Sequence, residues 1–333
     1  MTQPHLILGI GELLWDLLPG DTKSHNPAES ASPVGSLGGA PANFSVMAGR
    51  LGNHSAILSR IGRDPLGRVA VDRLDPMPVD TGSLQVDAAH ETGRVTVSFE
   101  QGEPGYEIHQ PAAWDFLELS DEWVRLAERA GAICFGTLAQ RSPHSRQTIQ
   151  TLAAQAPASC IRVFDVNLRA PFYSTEVIEE SLQLATVLKM NEHEAPLVLG
   201  LLGLSTEAQP SQQPADAQSL RSSAERLLSE FPSLDLVAIT RGGRGSLLVK
   251  REEWNDHPGL PIQLADPIGA GDAFTAAMTH YLLRGANLAA VNEAGNRWGG
   301  WVASQPGGMP ELPDSVRDSI TREIESAEIE SAS

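Results

Sequence analysis

Short apolar runs alternate with helix-like segments through most of the second half of the chain, and this alternation strongly limits its possible folds. The runs are too short for helices and are bounded by polar or glycine-containing turns, as is typical of buried strands. The apolar runs occupy residues 132–135, 161–164, 186–190, 236–240 and 246–249, and the helical patterns occupy 121–130, 143–154, 176–183 and 216–230. This pattern predicts an α/β fold in which a doubly wound, mostly parallel sheet carries helices on both faces.

A second, smaller sheet is predicted from the region that precedes these units. Val95, Val97 and Phe99 alternate with polar residues, and a turn containing glycine and proline follows before the alternation resumes. This is the pattern of an antiparallel hairpin with one exposed face. We expect residues 13–36 and 84–110 to form a discontinuous β-lid beside the main layers. Because its apolar face needs a cover, the lid also predicts a homodimer.

No clean domain boundary divides the sequence, so residues 1–315 are predicted to form a single α/β domain. Residues 62–67 are predicted to form a turn. Residues 204–218 are rich in Ser, Gln, Ala and Pro and are predicted to be an exposed insertion. The acidic, Ser- and Ala-rich tail at 316–333 is predicted to be either a surface helix or a frayed end.

Composition excludes several classes of partner. The formal net charge of −18 argues against nucleic acid and anionic membranes. The two cysteines, Cys134 and Cys160, lack metal-ligand spacing and are expected to be buried and reduced. No apolar stretch reaches membrane-spanning length, and the N-terminus lacks the basic and apolar regions of a signal peptide. We therefore predict a cytoplasmic protein whose partner is neither nucleic acid nor a membrane.

The stretch from Asp266 to Leu283 combines a glycine-rich turn with a helix. Pro267 and two glycines keep its first half out of a helix, whereas apolar residues recur at helical spacing from Phe274 onward. The glycines therefore lie where the helix begins, and unpaired N–H groups and the positive end of the helix dipole favour an anion there. Because no bulky side chain shields the backbone, this turn is predicted to bind phosphate.

Asp272 lies in the same turn, although binding an anion does not require a carboxylate. A carboxylate beside a phosphate site is useful if it accepts the proton of the alcohol that attacks the phosphate. The helix dipole favours the ionised form, so Asp272 is expected to be anionic at neutral pH. Positioning and charge stabilisation would supply most of the reduction in the barrier. The alternative is that Asp272 caps the helix and the glycines form an ordinary turn.

A second glycine-rich turn, with the sequence GGAPAN at Gly38–Asn43, begins another predicted helix. Its small residues let the backbone approach a ligand, and Asn43 offers both a donor and an acceptor one turn into the helix. Such a site suits a neutral polyol better than a phosphate. Asp16, which follows the first strand, could accept hydrogen bonds from two sugar hydroxyls. The alternative is a turn with proline at the helix start and a lone exposed aspartate.

Polar residues also follow several of the later strands. Asn191 and Glu194 follow one of them, at the carboxyl edge where open α/β sheets bind ligands, and their oxygens suit Mg²⁺. Arg169 follows another and could bridge nucleotide phosphates and the reacting alcohol with its fork of donors. A helix-capping cluster and a surface salt bridge explain these residues equally well. The glycine-rich run at 240–245 is explained by a turn between strands.

Two common nucleotide-binding motifs are absent from the sequence. It contains no G-x-x-x-x-G-K-[ST] motif, which excludes a P-loop kinase. Its first strand is not followed by G-x-G-x-x-G, which argues against a Rossmann dinucleotide site.

Taken together, these motifs resemble the two signatures of the PfkB, or ribokinase-like, carbohydrate kinases. One signature spans Gly38–Asn43, and the other begins DPIGAGDAF at Asp266. The resemblance covers nearly the whole chain, and the sequences NEHE from Asn191 and DVNLR from Asp165 agree with it. It implies a ribokinase-like, doubly wound sheet with a small β-lid that closes over a sugar, and ATP bound near the second signature.

The resemblance also implies roles for individual residues. Asp272 would be the catalytic base, Arg169 would assist the transfer, and Glu194 would order Mg²⁺ through water. The anion hole would consist of Gly269, Ala270 and Gly271, the sugar site of Asp16, Gly38, Gly39 and Asn43, and the nucleotide site of Asn191, Thr240, Gly242, Gly245 and Asn296.

Within the family, the sequence most resembles fructokinases, on the segments WDLLP from Trp15, GGAPAN from Gly38 and AAWD from Ala112. The resemblance thus predicts ATP-dependent phosphorylation of fructose. In some relatives, a closing loop of the type QPGGMP completes a K⁺ site with the carbonyls that correspond to Asp266 and Ile268. Other acceptors (2-keto-3-deoxygluconate, ribose or a nucleoside) stay open, as does a regulator that binds sugar or nucleotide without turnover.

Overall fold

An eight-stranded sheet lies at the centre of the computed structural model, which describes residues 5–17, 35–100, 103–205 and 216–331. The strands are β1 (Leu6–Ile10), β2 (Leu14–Leu17), β3 (Gly35–Gly38), β4 (His54–Leu58), β5 (Arg60–Gly62), β6 (Gln85–Asp87), β7 (Gly93–Glu100), β8 (Glu103–Ile108), β9 (Ala132–Gly136), β10 (Ile161–Asp165), β11 (Val187–Asn191), β12 (Leu236–Thr240), β13 (Ser246–Val249) and β14 (Trp254–His257). The order in the main sheet is β14-β13-β12-β11-β10-β9-β1-β4. β13 pairs in antiparallel fashion with both β12 and β14, and the other five pairs are parallel, which confirms the mostly parallel sheet.

Helices connect these strands. They are α1 (Ala40–Arg50), α2 (Pro65–Leu74), α3 (Asp121–Ala127), α4 (Pro143–Gln155), α5 (Thr175–Leu184), α6 (Glu194–Leu201), α7 (Ala217–Glu230), α8 (Ala270–Leu283), α9 (Leu288–Ala303) and α10 (Asp314–Ser331). The helical segments predicted from the sequence correspond to α3, α4, α5 and α7. α4, α5 and α7 each lie between two strands of the main sheet, as the alternation of apolar runs indicated, whereas α3 lies between β8 and β9.

Each face of the main sheet has its own apolar core. Ile7 and Cys134 belong to the core that α1, α8 and α9 cover. Leu8 and Phe135 belong to the core that α4, α5 and α7 cover. Successive side chains of a strand point to opposite faces, so both faces of a buried strand must be apolar. This is why the strands were recognisable as continuous apolar runs, and it confirms the doubly wound arrangement.

A four-stranded sheet in the order β3-β2-β7-β8 lies beside the main sheet. β7 and β8 pair in antiparallel fashion as predicted, whereas β2 and β7 are parallel. The backbone of Val97 and Phe99 lies in β7, but their side chains lie outside the described residues, as do residues 18–34 of the predicted lid. Val95 is buried, so the apolar face on which we based a homodimer is partly covered within the chain itself.

The predicted lid segment 84–110 divides between two sheets. Its first part forms β6, which pairs with β5 in a separate two-stranded sheet. An ion pair between Arg60 of β5 and Asp87 of β6, with 3.0 Å between Nε and Oδ2, also links these two strands. Because β6 pairs with β5, only the part of the segment from Gly93 onward belongs to the small sheet.

Helix α2 begins where the sequence predicted a turn, at residues 62–67. Asp64 caps this helix, because its Oδ1 accepts a hydrogen bond of 2.8 Å from the N–H of Gly67. Pro65 occupies the first helical position, where a missing N–H costs nothing. The prediction of a plain turn was wrong because it overlooked this Asp-Pro helix start.

The acidic tail is helical as far as it is described. α10 packs on α9, with the side chain of Ile324 fully buried between them. Residues 206–215, within the predicted insertion, lie outside the described part of the chain. Both cysteines are free and buried, as expected. Among the described helices, none is long and apolar enough to span a membrane.

Candidate active site

The parallel strands place their carboxyl ends at one edge of the main sheet, and most candidate residues lie there. Asp165 ends β10, Asn191 ends β11 and Thr240 ends β12, while Glu12 lies just beyond β1. β1 lies between β4 and β9. The chain first adds β4 on one side of β1 and later adds β9 on the other side, so the strand order reverses at β1. Such a switch in strand order opens the crevice in which open α/β sheets bind ligands.

The glycine-rich turn before α8 requires glycine at its first position. Gly269 has a φ of 76°, in the left-handed region, and a Cβ built on it would lie 2.6 Å from Cα of Gly308. Both the conformation and the space therefore exclude other side chains. Gly269 also has no side chain with which to cap α8, so the positive end of this helix is left open to an anion.

A hydrogen bond between Asn43 and Asp272 joins the two glycine-rich turns. Nδ2 of Asn43 donates to Oδ2 of Asp272 over 2.7 Å, although 229 positions separate the two residues. Asn43 is 5% exposed, and its Oδ1 has no hydrogen-bond partner among the described residues. A buried acceptor without a partner costs free energy. A ligand hydroxyl that donates to Oδ1 would therefore be favoured at this position.

The carboxyl group of Asp272 is a stronger base than an exposed aspartate. Burial and the nearby charge of Asp165 raise its pKa to about 6, and the hydrogen bond from Asn43 acts in the opposite direction. We expected the helix dipole to dominate, but burial outweighs it. At neutral pH the group is still mainly ionised, as predicted, and can accept a proton from an alcohol.

A buried amine lies beneath the start of α8. Nζ of Lys189 forms an ion pair of 3.1 Å with Asp165 Oδ1, and Thr275 donates to the other oxygen of Asp165 over 2.9 Å. A Cβ added to Gly271 would lie 3.1 Å from Nζ, so the amine is next to the turn. The charge of Asp165 raises the pKa of Lys189 in spite of its burial. Lys189 therefore places a protonated amine, paired with Asp165, below the predicted phosphate site.

The start of α1 approaches the sugar-binding candidates closely. Gly39 has a φ of 108°, and a Cβ there would lie 2.4 Å from the carbonyl oxygen of Glu12. A Cβ on Gly38 would lie 3.2 Å from Oδ2 of Asp16, so the glycine leaves room around this carboxyl group. Burial raises the pKa of Asp16 to about 6, and Arg169 lowers it. The structure thus brings Asp16, Gly38, Gly39 and Asn43 together.

Glu12 is a further carboxyl group at this site, and sequence reasoning missed it. Its side chain is 4% exposed, Oε1 accepts a hydrogen bond of 3.3 Å from Ala40 N–H, and Oε2 has no partner among the described residues. Burial raises its pKa to about 7, and the charge of Asp272 raises it further. The available signal was a glutamate directly after a buried strand, between Gly11 and Leu13.

Arg169 lies at the exposed edge of the same crevice. Its positive charge lowers the pKa values of Glu12, Asp16 and Asp272. Its Nη1 donates to the carbonyl oxygen of Leu168 over 3.1 Å. Among the described residues it forms no ion pair, so the surface salt bridge that we considered as an alternative is not observed.

Asn191 and Glu194 hold the loops after β10 and β11 together. The two carboxylate oxygens of Glu194 accept hydrogen bonds of 2.8 Å from the N–H groups of Leu168 and Asn191. Oδ1 of Asn191 accepts from the N–H groups of His193 and Glu194 at 2.9 and 3.0 Å. These contacts form the capping cluster considered from the sequence. They also hold the buried carboxylate of Glu194 at the carboxyl edge of the main sheet.

Most residues predicted to bind the nucleotide lie near the turn between β12 and β13. Gly242 and Gly245 have φ values of 58° and 82° in the turn between β12 and β13. Nothing lies within 4 Å of a Cβ built on Gly242, so this part of the turn borders open space. Asn296 on α9 donates to Ser246 Oγ over 2.7 Å, directly after the turn. Thr240 precedes the same turn, so the structure brings these residues together.

The loop before α8 contacts the loop near residue 307. Asp266 accepts hydrogen bonds of 3.0 Å from the N–H groups of Ile268 and Gly307, one on each oxygen. The side chain of Ile268 is 45% exposed. Because Gly308 also lies against Gly269 and Asn43, this closing loop forms one wall of the crevice. The residues named for a K⁺ site are therefore adjacent to that loop.

Lys189, like Glu12, was absent from the sequence-based site. It lies in the otherwise mainly apolar strand β11, near the carboxyl end. A lysine there is a recognisable exception to the apolar pattern. Charged residues are rarely buried without a partner. The sequence therefore carried a signal that Lys189 has a buried acidic partner, although it did not identify Asp165.

Comparison with known proteins identifies the family of this chain. The profile of the pfkB family carbohydrate kinases matches residues 5–315. A putative sugar kinase of Pyrococcus horikoshii is 31% identical over 288 residues, covering 84% of this chain and 83% of that protein. A fructokinase of Escherichia coli is 28% identical over 283 residues, covering 81% of each.

Solved structures agree with the sequence comparison. The crystal structure of the Pyrococcus horikoshii sugar kinase has a TM-score of 0.77 and 27% identity, and covers 97% of this chain and 99% of that one. A second structure of the same protein, in complex with ATP, has a TM-score of 0.76. The ribokinase-like fold is thus shown, and the chain belongs to the pfkB family of carbohydrate kinases.

Proposed function

We propose that this protein is an ATP-dependent fructokinase that transfers the γ-phosphoryl group of Mg-ATP to a hydroxyl of fructose. Membership of the family supplies the reaction class, and the relative from Escherichia coli is itself named a fructokinase. The proposal concerns the acceptor and the roles of individual residues in this chain.

The observation that carries the proposal is the 2.7 Å hydrogen bond from Asn43 to Asp272. Asn43 belongs to the turn that suits a polyol, and Asp272 belongs to the turn that suits a phosphate. A sugar hydroxyl held at Asn43 is therefore held next to a base and next to an open helix N-terminus. Such proximity is what a phosphoryl transfer needs from the protein.

The transfer then follows from the arrangement. A sugar hydroxyl lies beside the hydrogen-bonded pair of Asn43 and Asp272, and its oxygen forms the new bond to the γ-phosphorus. The bond between that phosphorus and the bridging oxygen of ADP breaks, and the alcohol proton passes to Asp272. The backbone N–H groups of Gly269, Ala270 and Gly271 stabilise the charge on the phosphoryl oxygens. Arg169 at the rim contributes further positive charge.

The remaining residues serve the nucleotide and its cations. Thr240, Gly242, Gly245 and Asn296 border the nucleotide, at the open turn described above. Asn191 and Glu194 fit a hydrated Mg²⁺, because hard cations prefer oxygen ligands. Bound there, Mg²⁺ would neutralise phosphate charge. The carbonyls of Asp266 and Ile268, beside the closing loop, fit K⁺.

The charges at the sugar side favour a neutral acceptor over a sugar acid. Two carboxyl groups border the position of the sugar, namely Asp16 and Asp272. Arg169 is the cation whose charge acts on both, and the proposal assigns it to phosphate. A carboxylate on the acceptor would therefore meet like charges. This supports fructose over 2-keto-3-deoxygluconate.

ADP release over a panel of free sugars tests the proposal. The panel consists of fructose, ribose, 2-keto-3-deoxygluconate and adenosine, each with Mg²⁺ and with or without K⁺. We expect fructose to give the highest kcat/KM and the Asp272→Asn variant to lose that activity. A clear preference for another acceptor would overturn the assignment of fructose while leaving the kinase in place.

The second candidate function is a regulator that binds sugar or nucleotide without turnover. Asp272 argues against it, because a protein that only binds phosphate gains nothing from a raised-pKa carboxylate beside it. Calorimetric binding of ATP without ADP release for any acceptor in the panel would favour the regulator.

A further inference from the structure

Glu12 is a buried ionisable group at the site, and the transfer reaction leaves it without a role. It lies at the end of β1, and its side chain is 4% exposed. Oε1 accepts a hydrogen bond of 3.3 Å from the N–H of Ala40 at the start of α1. Oε2 is buried and has no hydrogen-bond partner among the described residues. A buried carboxylate oxygen without a donor is expensive, whereas a protonated carboxyl group in the same place costs far less.

Charged groups surround Glu12 from several elements. Asp272 on α8 raises its pKa, and Arg169 from the loop after β10 lowers it. Asp165 ends β10 and Lys189 lies in β11, and together they form a neutral ion pair nearby. The buried thiol of Cys134 on β9 interacts with Glu12 and with this ion pair, and its pKa is raised well above the ordinary value. Burial remains the largest influence on Glu12 and raises its pKa to about 7.

Glu12 is too enclosed to touch a substrate. Together with Thr137, Asp165 and Asn167 it lines a cavity of about 10 Å³, which is too small for any sugar. Its influence on the reaction must therefore pass through its neighbours: the turn at Ala40, which belongs to the sugar side, and the charge of Asp272 on the phosphate side.

We propose that Glu12 is a positioning residue that works in its uncharged form. Its carboxyl group holds the start of α1 and, being uncharged, does not repel Asp272 or the incoming phosphates. This rests on the proposed function of the site. When Glu12 ionises, a further negative charge enters the crevice beside the phosphates of ATP. Binding and transfer of the phosphoryl group then become less favourable.

The proposal predicts a bell-shaped pH dependence with a narrow maximum. Activity rises as Asp272 loses its proton, with a pKa of about 6, and falls as Glu12 loses its own, with a pKa of about 7. The Glu12→Gln variant keeps an oxygen for Ala40 and cannot ionise. It should retain the acid limb of the kcat/KM profile and lose the alkaline fall, which in the wild type should reach roughly tenfold over two pH units.

The affinity for Mg-ATP, measured by calorimetry over the same pH range, gives a readout that does not depend on the acceptor. In the Asp272→Asn background the affinity should still weaken above the pKa of Glu12, and the added Glu12→Gln change should remove that weakening. Glu179→Gln, an exposed glutamate on α5, is the matched control and should change neither profile. Failure of every sugar in the panel would overturn the proposed function and would leave this binding test intact.

Two results would overturn the role of Glu12. One is an alkaline fall that is the same in the wild type and in Glu12→Gln. The other comes from ¹³C NMR of wild-type protein labelled at glutamate carboxyl carbons, which does not depend on the folding of a variant. We expect a glutamate resonance that titrates near neutral pH and shifts on binding of Mg-ATP. Complete ionisation of all glutamates well below neutral pH would contradict the proposal.

Discussion

The starts of α1 and α8 differ in the charge that lies beneath them. Both are glycine-rich, and both begin with a glycine in a conformation that other residues avoid. The carboxyl group of Glu12 reaches Ala40 N–H below α1, whereas the amine of Lys189 lies next to Gly271 below α8. The N-terminus of a helix is positive. At α1 the carboxyl group of Glu12 occupies an N–H group of the helix start, whereas at α8 the amine of the Lys189–Asp165 ion pair lies next to a start that no side chain caps.

This difference explains why two similar turns can bind different parts of a reaction. The start of α8 favours anions, so it suits a phosphoryl group. The start of α1 gains nothing from an anion and offers Asn43 and Asp16 as hydrogen-bonding groups, so it suits neutral hydroxyls. A single hydrogen bond, between Asn43 and Asp272, connects the two. Changes on the α8 side should therefore affect turnover, and changes on the α1 side should affect sugar binding.

The largest effect is expected for Asp272→Asn. The amide cannot accept the alcohol proton, so kcat should fall by roughly 10²–10⁴-fold while the KM for the sugar changes little. Steady-state kinetics with fructose would measure both values. Asp235→Asn, an exposed aspartate just before β12 at the opposite edge of the sheet, is the matched control. Near-wild-type turnover in Asp272→Asn would remove the base from the mechanism.

Lys189→Met should cost about 3–5 kcal/mol of unfolding free energy, because it leaves Asp165 buried without its partner. Denaturant unfolding followed by circular dichroism would measure the loss. The double variant Asp165→Asn, Lys189→Met removes both charges and should recover much of the stability. If the single and double variants were equally stable, the ion pair would not be the reason for the buried lysine.

Gly269→Ala and Gly285→Ala form a matched pair, since φ is 76° at Gly269 and 72° at Gly285. Nothing lies within 4 Å of a Cβ on Gly285, so its substitution should cost only the left-handed conformation, about 1–2 kcal/mol. At Gly269 a Cβ also meets Gly308, which should add about 1–3 kcal/mol and lower kcat. Thermal unfolding and kinetics of the two variants test this, and equal losses would show that the closing loop simply moves away.

The smallest effect is expected for Asn43→Ala on the pH profile. The hydrogen bond from Asn43 lowers the pKa of Asp272, so its removal should raise that pKa above about 6. The acid limb of kcat/KM should therefore move to higher pH, by about one unit or less. The KM for the sugar should rise as well, because Oδ1 of Asn43 is lost. An acid limb that stays in place would mean that the two helix starts act independently.

Much of the fold was predictable because its signals are local. Apolar runs predicted β9, β10, β11, β12 and β13 of the main sheet but not β14, and helical spacing predicted α4, α5 and α7. The missed elements had weaker signals. α2 depended on an Asp-Pro cap, and β6 is only a short run whose place depends on the ion pair between Arg60 and Asp87. Pairing of this kind joins distant residues, and the local sequence contains no information about it.

At the site, motifs identified both glycine-rich turns and their polar residues but not what lies beneath them. A buried charge such as Glu12 or Lys189 is visible in a sequence only as an exception to an apolar pattern. Its partner and its pKa depend on burial, and burial is a property of the packed molecule. The expectation for Asp272 shows the same limit, because the dipole of its own helix was outweighed by burial and by Asp165, more than a hundred positions away.

The sequence by itself determined the chemistry that is available to this protein: two helix starts without bulky side chains, a carboxylate at one of them, and a sheet whose strand ends meet at one edge. These follow from residue types and spacing. The tertiary structure alone decided that Asn43 contacts Asp272, that Glu12 lies below α1 and that Lys189 lies below α8. Electrostatic effects depend on distance and burial, and only the folded chain determines those.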